Sequence, residues 1–129
     1  MLFEYHLSTI QNDFYDITQQ VYEAIDKSGV KDGIAVVFSP HTTAGITLNE
    51  NADSDVVYDL LLGLRKAFPN HAGYTHKESN SAAHLKASFM GSSATVIIDG
   101  GRPLIGTWQG IFFCDFDPPR SRKFYVKVI

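Results

Sequence analysis

Three strand-like segments follow one another in the last third of the chain with no helical segment between them. They read SATVIID (residues 93–99), LIGTWQGIFFCDF (104–116) and RKFYVKVI (122–129). The linking stretches, DGGRP and DPPRS, are rich in turn-forming residues. Such a succession does not fit the regular alternation of strands and helices in a parallel α/β fold, and it predicts a mostly antiparallel sheet.

The first third of the chain predicts one strand and one helix. LFEYHLST (residues 2–9) alternates apolar and polar side chains, which is typical of a strand. From residue 14 to 27 apolar residues recur at steps of three and four, which predicts an amphipathic helix. We expect Asn12 or Asp13 to cap this helix, Asp16 to favour its positive end and Ser28-Gly29 to stop it.

The middle of the chain adds two strands and two helices. GIAVVFS (33–39) and AGITLNE (44–50) are the strands, and NADSDVVYDLLLGLRKAF (51–68) contains a second helix. SAAHLKASFM (81–90) is a third, short helix, with Leu85, Phe89 and Ala82 expected on its buried side. The sequence thus predicts one α+β domain over residues 1–129. We expect a mostly antiparallel β-sheet sandwich packed with two longer helices and one short helix.

Composition and missing motifs narrow the function classes. The formal charge of -3 argues against a nucleic-acid partner, and no apolar run approaches a membrane span. The single cysteine, Cys114, excludes an intramolecular disulfide and, with no signal-like start, favours the cytoplasm. Walker and GxGxxG motifs are absent, so we expect no nucleotide or flavin cofactor. Cys114 should be inert in its apolar strand, and Trp108 should be a core residue.

The loop SPHTTAG is the first candidate for chemistry. His41, Thr42 and Thr43 directly follow a predicted buried strand, where a rigid element can hold binding residues in place. Alternatively, these side chains simply face water, since one histidine in a loop is weak evidence for a site.

The segment THKESNSAAHLKASFMG (75–91) is the second candidate. His76 and His84 cannot be neighbours on one helix, because eight residues rise about 12 Å, so they converge only if His76 folds back across the helix start. Asn80 or Ser81 is placed to cap that helix, and its free N–H groups would attract an anion. The alternative is an ordinary capped helix with two separate surface histidines.

Two further groups of residues are candidates for binding a ligand. His41, His76 and His84 form a candidate three-histidine set for a divalent metal, zinc or magnesium, although no close-spaced signature such as HExxH is present. In DFDPPRSR, Arg120 and Arg122 are candidates to recognise a phosphate or carboxylate. The alternative is that arginine–aspartate pairs brace the turn.

Together these motifs resemble one protein family. HTTAGITLNEN, YTHKESNSAAHLKAS, GSS, LIGTWQGIFFCDFD and PRSRK occur in this order from residue 41 to 123. They are similar to the YjbQ-like family, also described as secondary thiamine-phosphate synthase enzymes. The resemblance implies an α+β homotrimer with a polar site near subunit contacts. It also implies a weak activity that joins hydroxymethylpyrimidine pyrophosphate to thiazole phosphate and releases pyrophosphate.

The resemblance assigns roles residue by residue, and one position departs from it. Its histidines map to His41, His76 and His84, and the turn that usually reads DGPR carries Pro118 instead of glycine, which bears on the aim of Arg120. The alternatives to an enzyme are a protein that binds a metal or a small phosphorylated metabolite without turnover, and a purely structural role. The expected catalytic residues are His84, Glu50 and Ser81, and the expected substrate-binding residues are Thr42, Thr43, Asn49, Asn80, Arg120 and Arg122.

Overall fold

The computed structural model describes all 129 residues as eight strands and three helices. The helices are α1 (Thr18–Ser28), α2 (Ser54–Ala67) and α3 (Ser81–Met90). The strands are β1 (Leu2–Thr9), β2 (Asp13–Asp16), β3 (Asp32–Phe38), β4 (Ala44–Glu50), β5 (Ser93–Asp99), β6 (Arg102–Pro103), β7 (Gln109–Asp115) and β8 (Arg120–Val128).

The strands form two antiparallel sheets. The larger has the order β1-β8-β3-β5-β6 and the smaller has the order β2-β7-β4, with every pairing antiparallel. The predicted α+β class, with a mostly antiparallel sandwich, two longer helices and one short helix, is therefore confirmed.

Strand β7 is the central strand of the smaller sheet, and a hydrophobic core lies on each of its two faces. Ile111 and Phe113 point into the core between the two sheets, which α1 also lines. Phe112 and Cys114 point the other way, into a second core formed with α2 and α3. Because both faces are covered, this strand shows an apolar run in place of the alternation of a half-exposed strand. Burial raises the pKa of the Cys114 thiol well above its ordinary value, which agrees with an inert cysteine.

The predicted start of the first helix is wrong. Residues 13–16 form β2, in which Phe14 lies opposite Cys114 of β7, and α1 begins only at Thr18. Pairing with β7 places Phe14 in the second core, and this tertiary contact overrides the apparent helical period. Neither Asn12 nor Asp13 caps the helix. Instead, Asp16 Oδ1 accepts a hydrogen bond from the Thr18 N–H (2.9 Å).

The buried side of α3 also differs from the prediction. Ala82 is buried as expected, but Leu85 is 39% and Phe89 is 71% exposed. The buried face consists of Ala82, Ala83, Lys86 and Ala87. Small alanine side chains let the helix approach the second core closely, and this leaves the larger apolar side chains outside. Phe89 packs instead against Phe68 beyond the end of α2, with ring centroids 5.3 Å apart.

The stretch before β7 is a loop. Residues 104–108 lie outside any strand, whereas the prediction extended the strand back to Leu104. Trp108 is 63% exposed, so its assignment to the core is wrong. The preceding DGGRP segment does turn, and Gly100 and Gly101 adopt positive φ angles of 60° and 82°, which glycine accommodates without steric cost.

The remaining predicted elements are found close to their expected bounds, including β1, β4 and α3. Gly29 ends α1 in the left-handed conformation, as predicted. Val57, Leu60, Leu61 and Leu64 of α2 pack against the second core. None of the three helices has the length and apolar character needed to cross a lipid bilayer.

Candidate functional site

A polar cavity opens where the β3–β4 loop, the β7–β8 turn and the start of α3 meet. Its volume is about 460 Å³, which is within the usual range for small-molecule sites. None of its lining residues is hydrophobic. The lining consists of Pro40, His41, Thr42, Thr43, His76, Glu78, Asn80, His84, Asp117, Arg120, Ser121 and Arg122.

Most of the predicted site residues meet in this polar cavity. The three histidines line it together with the two predicted threonines, Asn80 and both arginines. The contributing segments are far apart in sequence, and the antiparallel pairing of β4 with β7 brings two of them together by placing Ala44 opposite Asp115.

Two predicted residues lie elsewhere in the chain. Asn49 and Glu50 are at the opposite end of β4, paired with Gly110 and Gln109. Six residues of strand separate Ala44 from Glu50, a distance of about 20 Å. Within one chain, therefore, neither reaches the polar cavity. Ser81 begins α3 and lines two adjoining surface depressions together with His76.

A buried ion pair forms the floor of the polar cavity. Arg122 Nε and Nη2 donate to the two carboxylate oxygens of Asp115 at 2.9 and 2.7 Å. Their side chains are 5% and 0% exposed. Nη2 also donates to Thr43 Oγ1 (2.9 Å), and Thr9 Oγ1 donates to Asp115 Oδ2 (2.5 Å). Of the two alternatives for Arg122, the structure therefore shows the arginine–aspartate pair that braces the turn.

The environment of Asp115 keeps its carboxylate charged. Burial alone would raise its pKa, but hydrogen bonds from Arg122, Thr9 and the Asp117 N–H outweigh burial, so the pKa lies below its ordinary value. Because Arg122 is fixed by this charged partner, its hydrogen bond to Thr43 Oγ1 holds Thr43 at a fixed position in the cavity wall.

A second, more exposed pair forms the rim. Arg120 Nη2 donates to Asp117 Oδ2 at 2.7 Å, and Asn80 Nδ2 donates to the same oxygen at 2.9 Å. Asn80 therefore joins the start of α3 to the β7–β8 turn. It occupies the N-cap position, but its side chain makes no capping hydrogen bond, so the predicted cap is not formed.

His41 lies just beyond the end of the pairing between two interior strands of the larger sheet, β3 and β8. Pairing between β3 and β8 ends at Phe38 and Tyr125, and His41 Nε2 then lies 3.0 Å from the backbone N and 3.1 Å from the backbone O of Lys123. Burial, followed by the nearby charge of Arg122, lowers the pKa of His41 and favours its neutral form. Either tautomer engages Nε2, so Nδ1 is the nitrogen left for a ligand.

His76 and His84 come together by the fold-back that the sequence sets as the condition for their convergence. Their rings meet edge to face with centroids 5.3 Å apart. The chain folds back over the start of α3 through a turn in which the Ser79 N–H donates to the His76 carbonyl (3.1 Å). Ser79 adopts a φ of 60°, an uncommon left-handed conformation for a residue with a side chain.

The histidines share the polar cavity without forming a complete metal site. No group of three or more His, Cys, Asp or Glu side chains is arranged to hold a metal ion. His41 is engaged by Lys123, and His76 and His84 supply only two imidazoles. The side chains of one chain therefore do not provide the three protein ligands typical of a catalytic zinc.

Six cavity or floor residues were not predicted as site residues: Thr9, Pro40, Glu78, Asp115, Asp117 and Ser121. Glu78 lies in the quoted segment between the two histidines, so its position signalled it. Asp117 lies in the same acidic–basic turn as Arg120. Ser121 and Thr9 gave no local signal, because β1–β8 pairing, which sets Ser8 opposite Ser121 and Thr9 opposite Arg120, places them.

Comparison with known proteins gives consistent matches along the whole chain. The sequence profile of the family described as "UPF0047 protein YjbQ-like" matches residues 4–129. A UPF0047 protein of Methanocaldococcus jannaschii is 54% identical, over 100% of this chain and 94% of the relative. The UPF0047 protein YugU of Bacillus subtilis is 46% identical, over 95% of this chain and 93% of YugU.

Solved structures agree with the sequence matches. A crystal structure of a YjbQ/UPF0047 protein from Clostridium acetobutylicum is 58% identical and superposes with a TM-score of 0.96, covering 98% of this chain and 99% of that one. A protein of unknown function from Sulfolobus solfataricus is 32% identical with a TM-score of 0.95, covering 99% and 95%. These similarities establish the family and the fold without assigning an activity.

Proposed function

We propose that this chain, which belongs to the YjbQ-like UPF0047 family, is a secondary thiamine-phosphate synthase. The polar cavity would bind hydroxymethylpyrimidine pyrophosphate and thiazole phosphate. The bond from the pyrimidine methylene carbon to pyrophosphate breaks, pyrophosphate leaves with the electron pair, and the thiazole nitrogen bonds to the methylene carbon.

The observation that carries the proposal is the convergence of His76 and His84 with Arg120 and Thr43 in one cavity without hydrophobic lining residues. Displacement of pyrophosphate needs positioned substrates and neutralisation of the developing charge on the leaving group. Imidazoles and hydroxyls placed beside arginine suit that task. His84 is proposed to deliver a proton to the leaving pyrophosphate, while Thr42, Thr43 and Asn80 orient the phosphates.

The charge balance of the polar cavity favours a second candidate, binding without turnover. Arg122 is already paired with Asp115, and Arg120 with Asp117, so neither arginine is a free cation. A cavity with neutralised arginines suits a weakly held anionic metabolite better than a tightly held pyrophosphate. For this candidate we expect phosphate compounds to raise the thermal unfolding midpoint, an effect lost in His41→Ala, with no chemistry on any pyrophosphate.

The predicted homotrimer is also part of the proposal, and an exposed apolar surface supports it. Ile34, Phe38 and Ile97 are 38%, 40% and 55% exposed on the outer face of the larger sheet, with Ile34 directly opposite Ile97. Apolar patches of this kind on central strands commonly mark subunit contacts. Two further copies are the proposed occupants. Sedimentation should give a trimer, and a stable monomer at micromolar concentration would contradict it.

Metal binding stays a prediction, and no step of the proposed reaction depends on it. Because one chain supplies only two imidazoles at His76 and His84, a zinc or magnesium ion there would need ligands from solvent or another subunit. Elemental analysis of the purified protein tests this, together with zinc titration of His76→Ala. A cytoplasmic location, with no nucleic-acid or membrane partner, likewise remains our expectation.

The test of the enzyme is product formation from both thiamine half-precursors. We expect wild-type protein to form thiamine phosphate and His84→Ala to lose most of that activity. The matched control is His6→Ala, which removes an exposed histidine on β1 that pairs only with Glu4. Equal rates for His84→Ala and His6→Ala would remove His84 from the mechanism. No product from wild-type protein would contradict the synthase itself and leave the binding candidate.

A further inference from the structure

A second cavity lies on the other side of the Asn80–Asp117 pair, between the end of α2 and the buried face of α3. Its volume is about 440 Å³. Asn80 and Asp117 line both cavities, so their hydrogen bond forms the shared wall. None of the residues expected to be catalytic lines this second cavity, which we call the lysine cavity after Lys86.

Lys86 is a cation without a counter-charge. It is only 7% exposed, it makes no hydrogen bond within the chain, and no carboxylate lies within ion-pair distance of its ammonium group. Arg65 lines the same cavity, is also unpaired, and lies near enough to add to the effect of burial in lowering the pKa of Lys86. Keeping the buried Lys86 ammonium beside a second cation is costly unless an anion joins them.

The lysine cavity also holds unused acceptors. Asn12 Oδ1 and Asn80 Oδ1 are the two buried side-chain polar atoms of the chain that have no hydrogen-bond partner. Both residues line this cavity. The orientation of the Asn80 amide follows from its contact with Asp117, because the nitrogen must face the carboxylate. Buried polar groups are normally satisfied by protein, by ordered water or by a ligand, so these two oxygens are acceptors that a ligand donor can use.

Asp117 is the one acid that lines the lysine cavity, and it is already engaged. Its Oδ2 atom accepts hydrogen bonds from Arg120 and Asn80, so Arg120 balances its charge. Lys86 and Arg65 therefore give the cavity an excess of positive charge.

We propose that the lysine cavity binds the phosphate group of a small metabolite. Lys86 and Arg65 would bind the anionic oxygens, and a small rotation of the Asn12 or Asn80 side chain, whose Oδ1 atom is buried, would let it accept a hydrogen bond from a protonated phosphate oxygen or a neighbouring hydroxyl. A phosphate group meets both demands near neutral pH, since it carries negative oxygens and, when singly protonated, a donor. Sulfate has similar charge but no donor at this pH, so it matches only half of the site.

The test is a titration of inorganic phosphate into the full chain, in which the NMR chemical shifts of the backbone amides report binding. We expect shifts near Lys86 and Asn12, and weaker binding of sulfate than of phosphate. Lys86→Met, which keeps the length of the side chain, should raise the dissociation constant for phosphate about tenfold or more. The matched control is Lys66→Met, an exposed lysine beside Arg65 that does not line the cavity.

Arg65→Gln is a second variant, at an exposed position on α2, and it should also raise the dissociation constant for phosphate. Phosphate binding by Lys86→Met as tight as by wild-type protein would overturn the proposal, as would shifts confined to His76 and His84. Shifts around the two cavities are followed separately, so the outcome here does not decide the synthase proposal. Loss of synthase activity in His84→Ala should leave phosphate binding at the lysine cavity unchanged.

Discussion

The floor and the rim of the polar cavity are built in opposite ways. At the floor, Asp115 and Arg122 are buried, and each carboxylate oxygen of Asp115 accepts more than one hydrogen bond. The rim is more open: it comprises the Arg120–Asp117 pair together with residues 71–79, which are all exposed, and His76 meets His84 there only by an edge-to-face ring contact. The two regions therefore have different roles: the floor fixes the shape of the site, and the rim presents groups that can bind a ligand.

The largest expected effect of a substitution falls on the floor. Arg122→Met removes the partner of Asp115 and leaves a buried carboxylate without its counter-charge. We expect the free energy of unfolding to fall by about 3–5 kcal/mol. Urea unfolding measures this, with Arg120→Met as the matched control, because that arginine belongs to the exposed pair of the same turn. Equal losses in the two variants would contradict a distinction between floor and rim.

A smaller loss is expected at Thr9, which supports the floor from β1. Its Oγ1 bonds to Asp115 and accepts from the Arg120 N–H (3.1 Å). Thr9→Val keeps the shape but leaves the N–H unsatisfied, which should cost about 1–3 kcal/mol in the free energy of unfolding. Thr95→Val, at an exposed position on β5, is the control. If both valines behave alike, the Thr9 hydroxyl contributes nothing to the floor.

Much of this floor could be anticipated only as one of two alternatives. The sequence placed Asp115, Asp117, Arg120 and Arg122 in one turn, but pairing and substrate binding remained equally open. Burial decides between them for Arg122, whose partner Asp115 also bonds Thr9 at the end of β1 and whose Nη2 bonds Thr43 just before β4. Thr9 lies 106 residues from Asp115 along the chain, so no local pattern could have joined them.

The meeting of the two rim histidines was easier to predict than the positions of other residues on β4 and α3. His76 and His84 could meet only by a fold-back over α3, and the structure has that geometry. Asn49 and Glu50 were grouped with the site because they follow the HTT motif in sequence, but an extended strand carries them away from it. The buried face of α3 was misassigned because size suggested Leu85 and Phe89, whereas close packing selected alanines.

A pH effect should connect the two regions through His41. Burial, followed by Arg122, lowers the pKa of His41 in the folded chain, whereas the unfolded chain keeps a value of about 6.5. The unfolded state therefore takes up its proton first, so the stability contributed above pH 6.5 is lost as the pH falls below it. We expect wild-type protein to lose more unfolding free energy than His41→Gln between pH 7.5 and 5.5. Parallel losses would assign the effect to other groups.

The smallest effect on stability is expected at the rim. His76 is exposed, so His76→Ala should change the free energy of unfolding by no more than about 0.5 kcal/mol. Thermal or urea unfolding beside His6→Ala gives the comparison. A loss comparable to that of Thr9→Val would mean that the histidine contact holds the fold, and the separation between floor and rim would fail.

Calorimetric titration of pyrophosphate into wild-type protein and the His76→Ala/His84→Ala double variant tests the role of the histidine pair at the rim. We expect the double variant to keep the wild-type free energy of unfolding to within about 1 kcal/mol and to bind pyrophosphate about tenfold more weakly or worse. Pyrophosphate binding of unchanged affinity in a folded double variant would contradict the claim that this histidine pair forms the ligand-binding side of the polar cavity.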